Sequence, residues 1–116
     1  MSTESVMDHH LEALLAEPFD IEEVMKDYTE DSVLFTPNGA VLGLDNLRNS
    51  FAGFAGMMAG DGKFDLTQKH VDGEMGYIAW TLESSAVSVP LGSDTFLVRD
   101  DKIVTQTFAG AITPKG

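Results

Sequence analysis

Hydrophobic positions recur at helical spacing in the first part of the chain. From Val6 onward, apolar and histidine side chains repeat at three- and four-residue steps until Pro18, which predicts an amphipathic first helix. The helix is expected to stop at Pro18, because proline lacks the backbone N–H that another turn needs. Residues 1–5 precede this pattern and are predicted to form a loose tail.

Shorter signals follow in the middle of the chain. Asp20 is a residue type that favours a helix start, and it predicts a short second helix with Tyr28 on the apolar face. A β run at residues 32–36 leads into turn residues, and Asp45 marks the start of a third helix. The glycine-rich stretch 52–62 predicts a flexible connection after that helix.

The second half of the chain alternates between polar and apolar residues and predicts a run of antiparallel strands. The first strand covers residues 64–71, the next covers 77–83, and residues 95–98 and 103–108 flank a hairpin turn. Helices therefore come first and strands follow. This segregation indicates an α+β protein with the helices packed on one face of a curved sheet.

Composition limits the classes of protein to which this chain can belong. With 116 residues, of which 43% are hydrophobic, residues 1–116 are predicted to form a single domain. Seven Lys and Arg against 19 Asp and Glu give a net charge of −12, which makes nucleic acid and anionic membranes poor partners. The absence of cysteine excludes disulfides and thiolate metal sites. No apolar run approaches the roughly 18–20 residues of a membrane span, and a cytoplasmic location is expected.

Four stretches in a fixed order resemble one superfamily, the nuclear transport factor 2-like proteins, which include ketosteroid isomerases and SnoaL-like polyketide cyclases. They are residues 27–33, residues 37–43 with 47–51, residues 64–68, and residues 94–104. The resemblance implies a cone, in which a strongly curved, mostly antiparallel sheet wraps around N-terminal helices and leaves a pocket at its mouth. It also implies a homodimer formed through the outer face of the sheet.

Two positions of the resemblance bear on catalysis. Asp94 matches the position at which ketosteroid isomerases carry a protonated acid, and burial in an apolar pocket is the physical cause of such protonation. The alternative is an exposed, ionised aspartate at a strand end. Thr36 stands where those isomerases place their catalytic base, and threonine cannot shuttle a proton at neutral pH. Steroid isomerisation is therefore not expected, and a turn role is expected for Thr36.

The three histidines are further candidates. His10 falls near the place of the family's oxyanion-hole tyrosine, where a neutral imidazole donates a hydrogen bond or accepts a proton. The alternative is that His9 and His10 both lie on the surface. His70 shares a strand face with Gln68, and both are predicted to point inward or to lie at the rim of the pocket. A satisfied core histidine is the alternative to a site residue at His70. Neither a metal nor another cofactor is expected, because the histidines lack metal-ligand spacing.

An apolar pocket with a few polar groups is the expected binding site, and a small apolar molecule is the expected partner. Its predicted lining comprises Tyr28, Phe51, Phe54, Met58, Gln68, Trp80, Phe96, Gln106 and Phe108. Simple core packing is the alternative for these side chains.

Two kinds of function follow from these candidates. One is an enzyme that performs isomerisation, aldol-type cyclisation or dehydration, with His10 or His70 moving the proton and Asp94 assisting. The other is a non-catalytic ligand-binding protein or dimerisation module.

Overall fold

Two helices open the chain, and most of the strands follow the third helix. The computed structural model describes residues 2–58 and 60–115. The helices are α1 Thr3–Leu14, α2 Ile21–Met25 and α3 Leu44–Met57, and the strands are β1 Val33–Thr36, β2 Gly39–Leu42, β3 Lys63–Asp72, β4 Met75–Glu83, β5 Val87–Arg99, β6 Lys102–Gly110 and β7 Thr113–Pro114.

The described strands form one seven-stranded sheet. Its order is β2-β1-β6-β5-β4-β3, and β7 pairs with β5 off this path. The pairing of β1 with β6 is parallel and the other pairings are antiparallel. Register shifts interrupt the β3–β4, β4–β5 and β5–β6 ladders, and such irregularities bend strands and increase sheet twist. The predicted α+β class, with a curved and mostly antiparallel sheet against N-terminal helices, is confirmed.

The core lies between the helices and the inner face of the sheet. Met7 of α1, Leu47 of α3, Leu82 of β4, Phe96 of β5 and Ile103 of β6 are all fully buried there. Each side chain of this size stabilises the fold by about 1.5–3 kcal/mol when it leaves water. In the described part of the chain, no helix is both long and apolar enough to cross a membrane.

The first helix starts earlier than the hydrophobic pattern indicates. Helix α1 begins at Thr3, and Ser2 and Ser5 form a reciprocal capping box in which each side chain accepts a hydrogen bond from the other's backbone. The Thr3 hydroxyl also donates to a backbone carbonyl of the β3–β4 turn (2.7 Å). The loose tail predicted over residues 1–5 is therefore wrong from Ser2 onward, and Met1 lies outside the described residues.

Helix α3 also extends further than its composition indicates. It continues through Gly53 and Gly56 to Met57, although glycine costs about 1 kcal/mol relative to alanine in a helix. Burial of the aromatic side chains on its inner face offsets this cost. The flexible connection predicted over residues 52–62 is therefore wrong for its first six residues, and Ala59 lies outside the described residues.

A β-bulge in β3 reverses the faces of the second half of that strand. One residue of β3 is unmatched between the pairs that Leu66 and Gln68 form with β4. Beyond it, Lys69 turns towards α1 and donates to Asp8 (2.8 Å). Gln68 and His70 consequently project from the outer face and are exposed. The prediction that these two side chains point inward is wrong, because an extra residue shifts the two-residue alternation by one position.

Candidate functional site

A cavity of about 560 Å³ lies between α1, α3 and the inner face of the sheet. This volume is within the roughly 300–1,000 Å³ typical of small-molecule sites. Its walls are mainly aromatic and aliphatic, and Phe51 and Phe54 of α3 face Phe64, Trp80 and Phe108 of the sheet. The inner surface of the cavity is therefore mainly apolar.

Trp80 is the central ring of this wall. Its indole stacks on Phe64 at 5.3 Å between ring centroids and on Phe108 at 6.0 Å, and Phe54 meets it edge-on at 5.6 Å. The backbone of Gly92 on the neighbouring strand lies against the indole, and a Cβ at that position would lie 2.4 Å from the ring. Gly92 is therefore required by the close approach, and the packing holds the indole N–H in one orientation.

Five side chains form a continuous hydrogen-bonded series at one end of the cavity, and we call this series the polar chain. The Nε1–H of Trp80 donates to Oδ1 of Asp94 (2.9 Å), and Nε2 of Gln106 donates to Oδ2 of Asp94 (2.7 Å). The Tyr28 hydroxyl donates to Oε1 of Gln106, and its oxygen lies 3.2 Å from Nδ1 of His10. The polar chain thus runs from Trp80 to His10 through three buried polar groups.

Separate elements of the fold bring the polar chain together. Asp94 and Gln106 lie on the inner face of β5 and β6, where Gln106 pairs with Phe96, two residues from Asp94. His10 lies on the inward face of α1, and Tyr28 lies three residues beyond the end of α2. The His10 ring is held by edge contacts with neighbouring aromatic rings at 5.4–5.9 Å. Its orientation is therefore set by both packing and hydrogen bonding.

The hydrogen-bond directions assign the tautomer of His10. The single hydroxyl proton of Tyr28 is used by Gln106, so the hydroxyl oxygen accepts a hydrogen bond from Nδ1–H of His10. Nε2 of the same ring then carries a lone pair. Nε2 has no hydrogen-bond partner among residues 2–58 and 60–115. Every fully enclosed side-chain polar atom in these residues does have a partner, so Nε2 is not fully enclosed. His10 borders the cavity, and we assign its Nε2 as the polar atom that opens into it.

Burial shifts the pKa values of both ionisable ends of the polar chain. Loss of solvation raises the pKa of Asp94 to about 6, although the hydrogen bonds from Gln106 and Trp80 act in the opposite direction. Burial lowers the pKa of His10 to about 4, and the charge of His9 adds to this effect. The pKa of Tyr28 is raised well above its usual value, mainly by burial. At neutral pH the site thus holds a neutral imidazole, a phenol and an ionised carboxylate.

Most of the predicted site residues meet at this cavity. Those that border it are His10, Phe51, Phe54, Trp80, Asp94, Gln106 and Phe108. Tyr28 lies behind the wall within the polar chain, and Phe96 is fully buried against the His10 ring at 5.5 Å. These two side chains support the site and do not line it.

Three predicted residues lie elsewhere. Gln68 and His70 are on the outer face, where the Gln68 amide oxygen and Nε2 of His70 are 3.2 Å apart. Met58 borders a separate groove formed by the end of α3 and the segment after α1, and its neighbour Met57 reaches the main cavity instead. His9 lies near the surface between two carboxylates, so the two adjacent histidines have opposite environments.

The cavity is also bordered by residues that were not part of its predicted lining. Ser50 of α3 and Asn38 of the β1–β2 turn border it, together with Thr36. The Thr36 hydroxyl donates to the Gly39 carbonyl (2.9 Å) and accepts from the Asn38 backbone N–H (3.1 Å). The turn role expected of Thr36 is confirmed. Within the described residues, no cluster of three or more His, Asp or Glu side chains has the geometry of a metal site.

The protein is a small α+β domain with a pocket. Its helices lie on one face of a bent sheet, and an aromatic cavity and the polar chain lie between the helices and the sheet. The profile of the SnoaL-like domain family matches residues 8–106 of this chain. The match covers most of the sequence, and the chain belongs to the SnoaL-like family. All five members of the polar chain fall within the matched residues.

Solved structures share this fold at low sequence identity. A nuclear transport factor 2-like protein of unknown function from Cytophaga hutchinsonii aligns with a TM-score of 0.76 at 14% identity, over 96% of this chain and 91% of that one. A candidate ketosteroid isomerase from Kribbella flavida gives 0.75 at 17%, over 94% and 77%. A candidate polyketide cyclase from Sinorhizobium meliloti gives 0.72 at 10%, over 93% and 99%. No curated protein sequence matches the chain. At these identities the likeness establishes the fold alone.

Proposed function

We propose that this protein is an acid/base enzyme that moves a proton on an apolar, oxygen-bearing small molecule. Isomerisation, aldol-type cyclisation and dehydration share such a step, the removal of a proton from carbon next to a carbonyl group. The observation that carries the proposal is the unpartnered Nε2 of a buried, neutral histidine at the polar end of an aromatic cavity. The candidate isomerase and cyclase with the same fold are consistent with this class of reaction.

His10 is the proposed proton acceptor. The hydrogen bond from its Nδ1–H to the Tyr28 hydroxyl orients the ring and leaves Nε2 free, as a general base requires. When Nε2 accepts a proton, the new positive charge lies at the His10 end of the polar chain, and the Asp94 carboxylate lies three hydrogen bonds away along it. Gln106 and Tyr28 link these two charges through hydrogen bonds. Asp94 is therefore a proposed positioning and charge-balancing residue.

Hydrogen–deuterium exchange on a simple ketone tests this proposal without knowledge of the natural substrate. The probe is 2-tetralone in D₂O at pH 7.5, and proton NMR follows the loss of its α-proton signals. We expect the protein to accelerate exchange roughly 10²–10⁴-fold over buffer, the usual contribution of a positioned base.

Two histidine variants form a matched pair for this experiment. His10→Gln should return exchange to the buffer rate, whereas His70→Gln changes an exposed histidine on the outer face and should leave the rate unchanged. Equal rates for the wild-type protein and His10→Gln would overturn the catalytic proposal.

A ligand-binding protein without catalysis is the second candidate function. The observation that favours it is the turn role of Thr36, whose hydroxyl is engaged by backbone groups where related isomerases carry their base. Saturable binding of 2-tetralone, seen as chemical-shift changes of cavity residues, with exchange at the buffer rate is the result that this candidate predicts.

A further inference from the structure

We propose that the polar chain is a reversible relay, in which protonation of Asp94 turns Nε2 of His10 from a hydrogen-bond acceptor into a donor. The cavity would then accept the hydroxyl of a phenol or enol in one state and a carbonyl oxygen in the other. This inference names the ligand chemistry of the proposed site. It rests on the proposed function only in that Nε2 of His10 faces the ligand.

In the ionised state every hydrogen bond has one allowed direction. The Asp94 carboxylate can only accept, so Gln106 presents its amide N–H to it and turns its carbonyl oxygen to Tyr28. The Tyr28 hydroxyl must then donate to that oxygen, and its lone pair receives Nδ1–H of His10. The result is an acceptor at Nε2. A ligand that contributes an O–H group satisfies it.

In the protonated state the same atoms support the opposite directions. Trp80 continues to donate to Oδ1, which leaves the new proton of Asp94 on Oδ2, directed at Gln106. Gln106 meets it with the carbonyl oxygen after a 180° rotation of its amide, and the amide N–H then donates to Tyr28. Tyr28 turns its proton to Nδ1 of His10. The remaining imidazole proton lies on Nε2 and meets a ligand acceptor.

The two states differ by one proton, which Asp94 takes from solution. Gln106 keeps both amide protons and Tyr28 keeps its hydroxyl proton, since each only rotates. His10 loses a proton at Nδ1 and gains one at Nε2 by exchange with water, so it stays neutral. No bond to carbon is formed or broken.

Few titratable groups face this relay. From α1 they are His10 and, one residue earlier, His9, whose charge acts on His10. From the segment after α2 they are Tyr28 and Asp27, and both Asp94 and Asp27 act on the Tyr28 hydroxyl. Among the described residues that line the cavity, those of α3 and β4 carry no titratable group. The pKa of Asp94, about 6, lies above that of His10, about 4, and below neutral pH. Asp94 is therefore the group of the polar chain that changes its charge between pH 7.5 and pH 5.

Nitrogen-15 NMR of the His10 side chain tests the relay directly, because protonated and unprotonated ring nitrogens have widely separated resonances. We expect Nδ1 to carry the proton at pH 7.5 and Nε2 to carry it at pH 5. The inference is overturned if the same nitrogen carries the proton at both pH values, or if both nitrogens are protonated at pH 5. This measurement needs only the wild-type protein.

Three variants identify the groups that transmit the change. Asp94→Asn places an amide N–H towards Gln106 at every pH, and it should hold His10 in the Nε2–H form at both pH values. Tyr28→Phe removes the link, and the His10 tautomer should no longer respond to pH. His9→Gln removes a nearby charge that lies outside the polar chain, and it should retain the reversal. A reversal that persists in Tyr28→Phe would overturn the relay.

Two probes of similar size test the consequence for binding. They are 2-naphthol, which offers an O–H donor, and 2-acetylnaphthalene, which offers only an acceptor. We expect the ratio of their affinities to shift about tenfold in favour of the ketone between pH 7.5 and pH 5, the worth of about one hydrogen bond. In Asp94→Asn the ratio should stay at its pH 5 value, and a ratio that varies with pH as in the wild type would contradict the inference.

The relay and the proposed enzyme can fail separately. If the His10 tautomer reverses with pH but hydrogen–deuterium exchange on 2-tetralone is not accelerated, the relay is supported and the catalytic function is contradicted. If hydrogen–deuterium exchange depends on His10 but its tautomer is the same at both pH values, the catalytic function is supported and the relay is overturned.

Discussion

At the scale of single residues, burial acts in opposite directions on the two ionisable ends of the polar chain. It raises the pKa of Asp94 to about 6 and lowers that of His10 to about 4, because each charged form loses solvation. Relative to the unfolded chain, the folded protein binds more protons at Asp94 and fewer at His10. The stability contributed through Asp94 is lost as pH rises through 6, and that contributed through His10 is lost as pH falls from 6.5 to 4.

Between about pH 4 and pH 6.5 the contributions of Asp94 and His10 to the free energy of unfolding nearly cancel each other in the wild-type protein. Asp94→Asn removes one contribution, and its free energy of unfolding should rise by about 2 kcal/mol across this range. His10→Gln should show a fall of similar size. Urea unfolding at pH 4.5, 5.5 and 6.5 measures both slopes. Variants with the same slope as the wild type would contradict the shifted pKa values.

At the scale of elements, α1 and α2 are joined by a histidine held between two carboxylates. Nδ1 of His9 lies 2.7 Å from Oδ2 of Asp27, and its Nε2 lies 2.9 Å from Oε1 of Glu23. The hydrogen bonds to Glu23 and Asp27 raise the pKa of His9. Burial raises the pKa of Asp27 despite the opposing effect of His9, so the carboxylate depends on its charged partner.

The His9 bridge predicts a second pH effect, in a higher range than that of the polar chain. A raised histidine pKa contributes stability below about pH 6.5 that is lost as pH rises through the folded-state value. His9→Gln should therefore lose stability at pH 6 by less than about 1 kcal/mol, because the bridge is partly exposed. It should match the wild type at pH 9.

Thermal unfolding of the wild-type protein and His9→Gln at both pH values measures this effect. An equal loss of stability at pH 6 and pH 9 in His9→Gln would rule out an ionic origin.

At the scale of the whole molecule, the sheet has two different faces. The inner face carries the cavity, whereas the outer face presents a row of side chains at paired positions across five strands. The row is His70, Tyr77, Thr95, Thr107 and Phe35. Tyr77 and Phe35 are 37% and 49% exposed. A row of hydroxyl and aromatic groups with few charges suits contact with another protein surface.

We predict that this outer face forms a homodimer. Tyr77→Asp places a charge in the middle of the row and should weaken dimerisation more than tenfold, since an unpaired charge is costly to bury, at about 3–5 kcal/mol. Val71→Asp places the same charge at a similarly exposed position opposite Gly76, on the helix-facing side, and should not change assembly. Light scattering during size-exclusion chromatography measures the mass. A monomeric wild-type protein would exclude this assembly.

The order of helices and strands could be predicted from the sequence, as could fewer than half of the side chains that line the cavity. Alternating periodicity is a local property, and it placed Trp80 and Gln106 on the inward face of their strands, whereas for His10 and Asp94 the sequence left a buried and an exposed position both open. The capping box at the start of α1 was also readable from Ser2 and Ser5, but the hydrophobic pattern alone missed it.

Features that depend on contacts between residues far apart in the sequence follow from the tertiary structure alone. One unmatched residue in β3 turned Gln68 and His70 outward, because strand alternation is lost when the register shifts by one. The direction of the polar chain depends on hydrogen bonds that join Tyr28 to His10, 18 residues away, and to Gln106, 78 residues away. The free Nε2 on which the proposed chemistry rests is a consequence of those bonds, since proton positions follow from partners rather than from residue types.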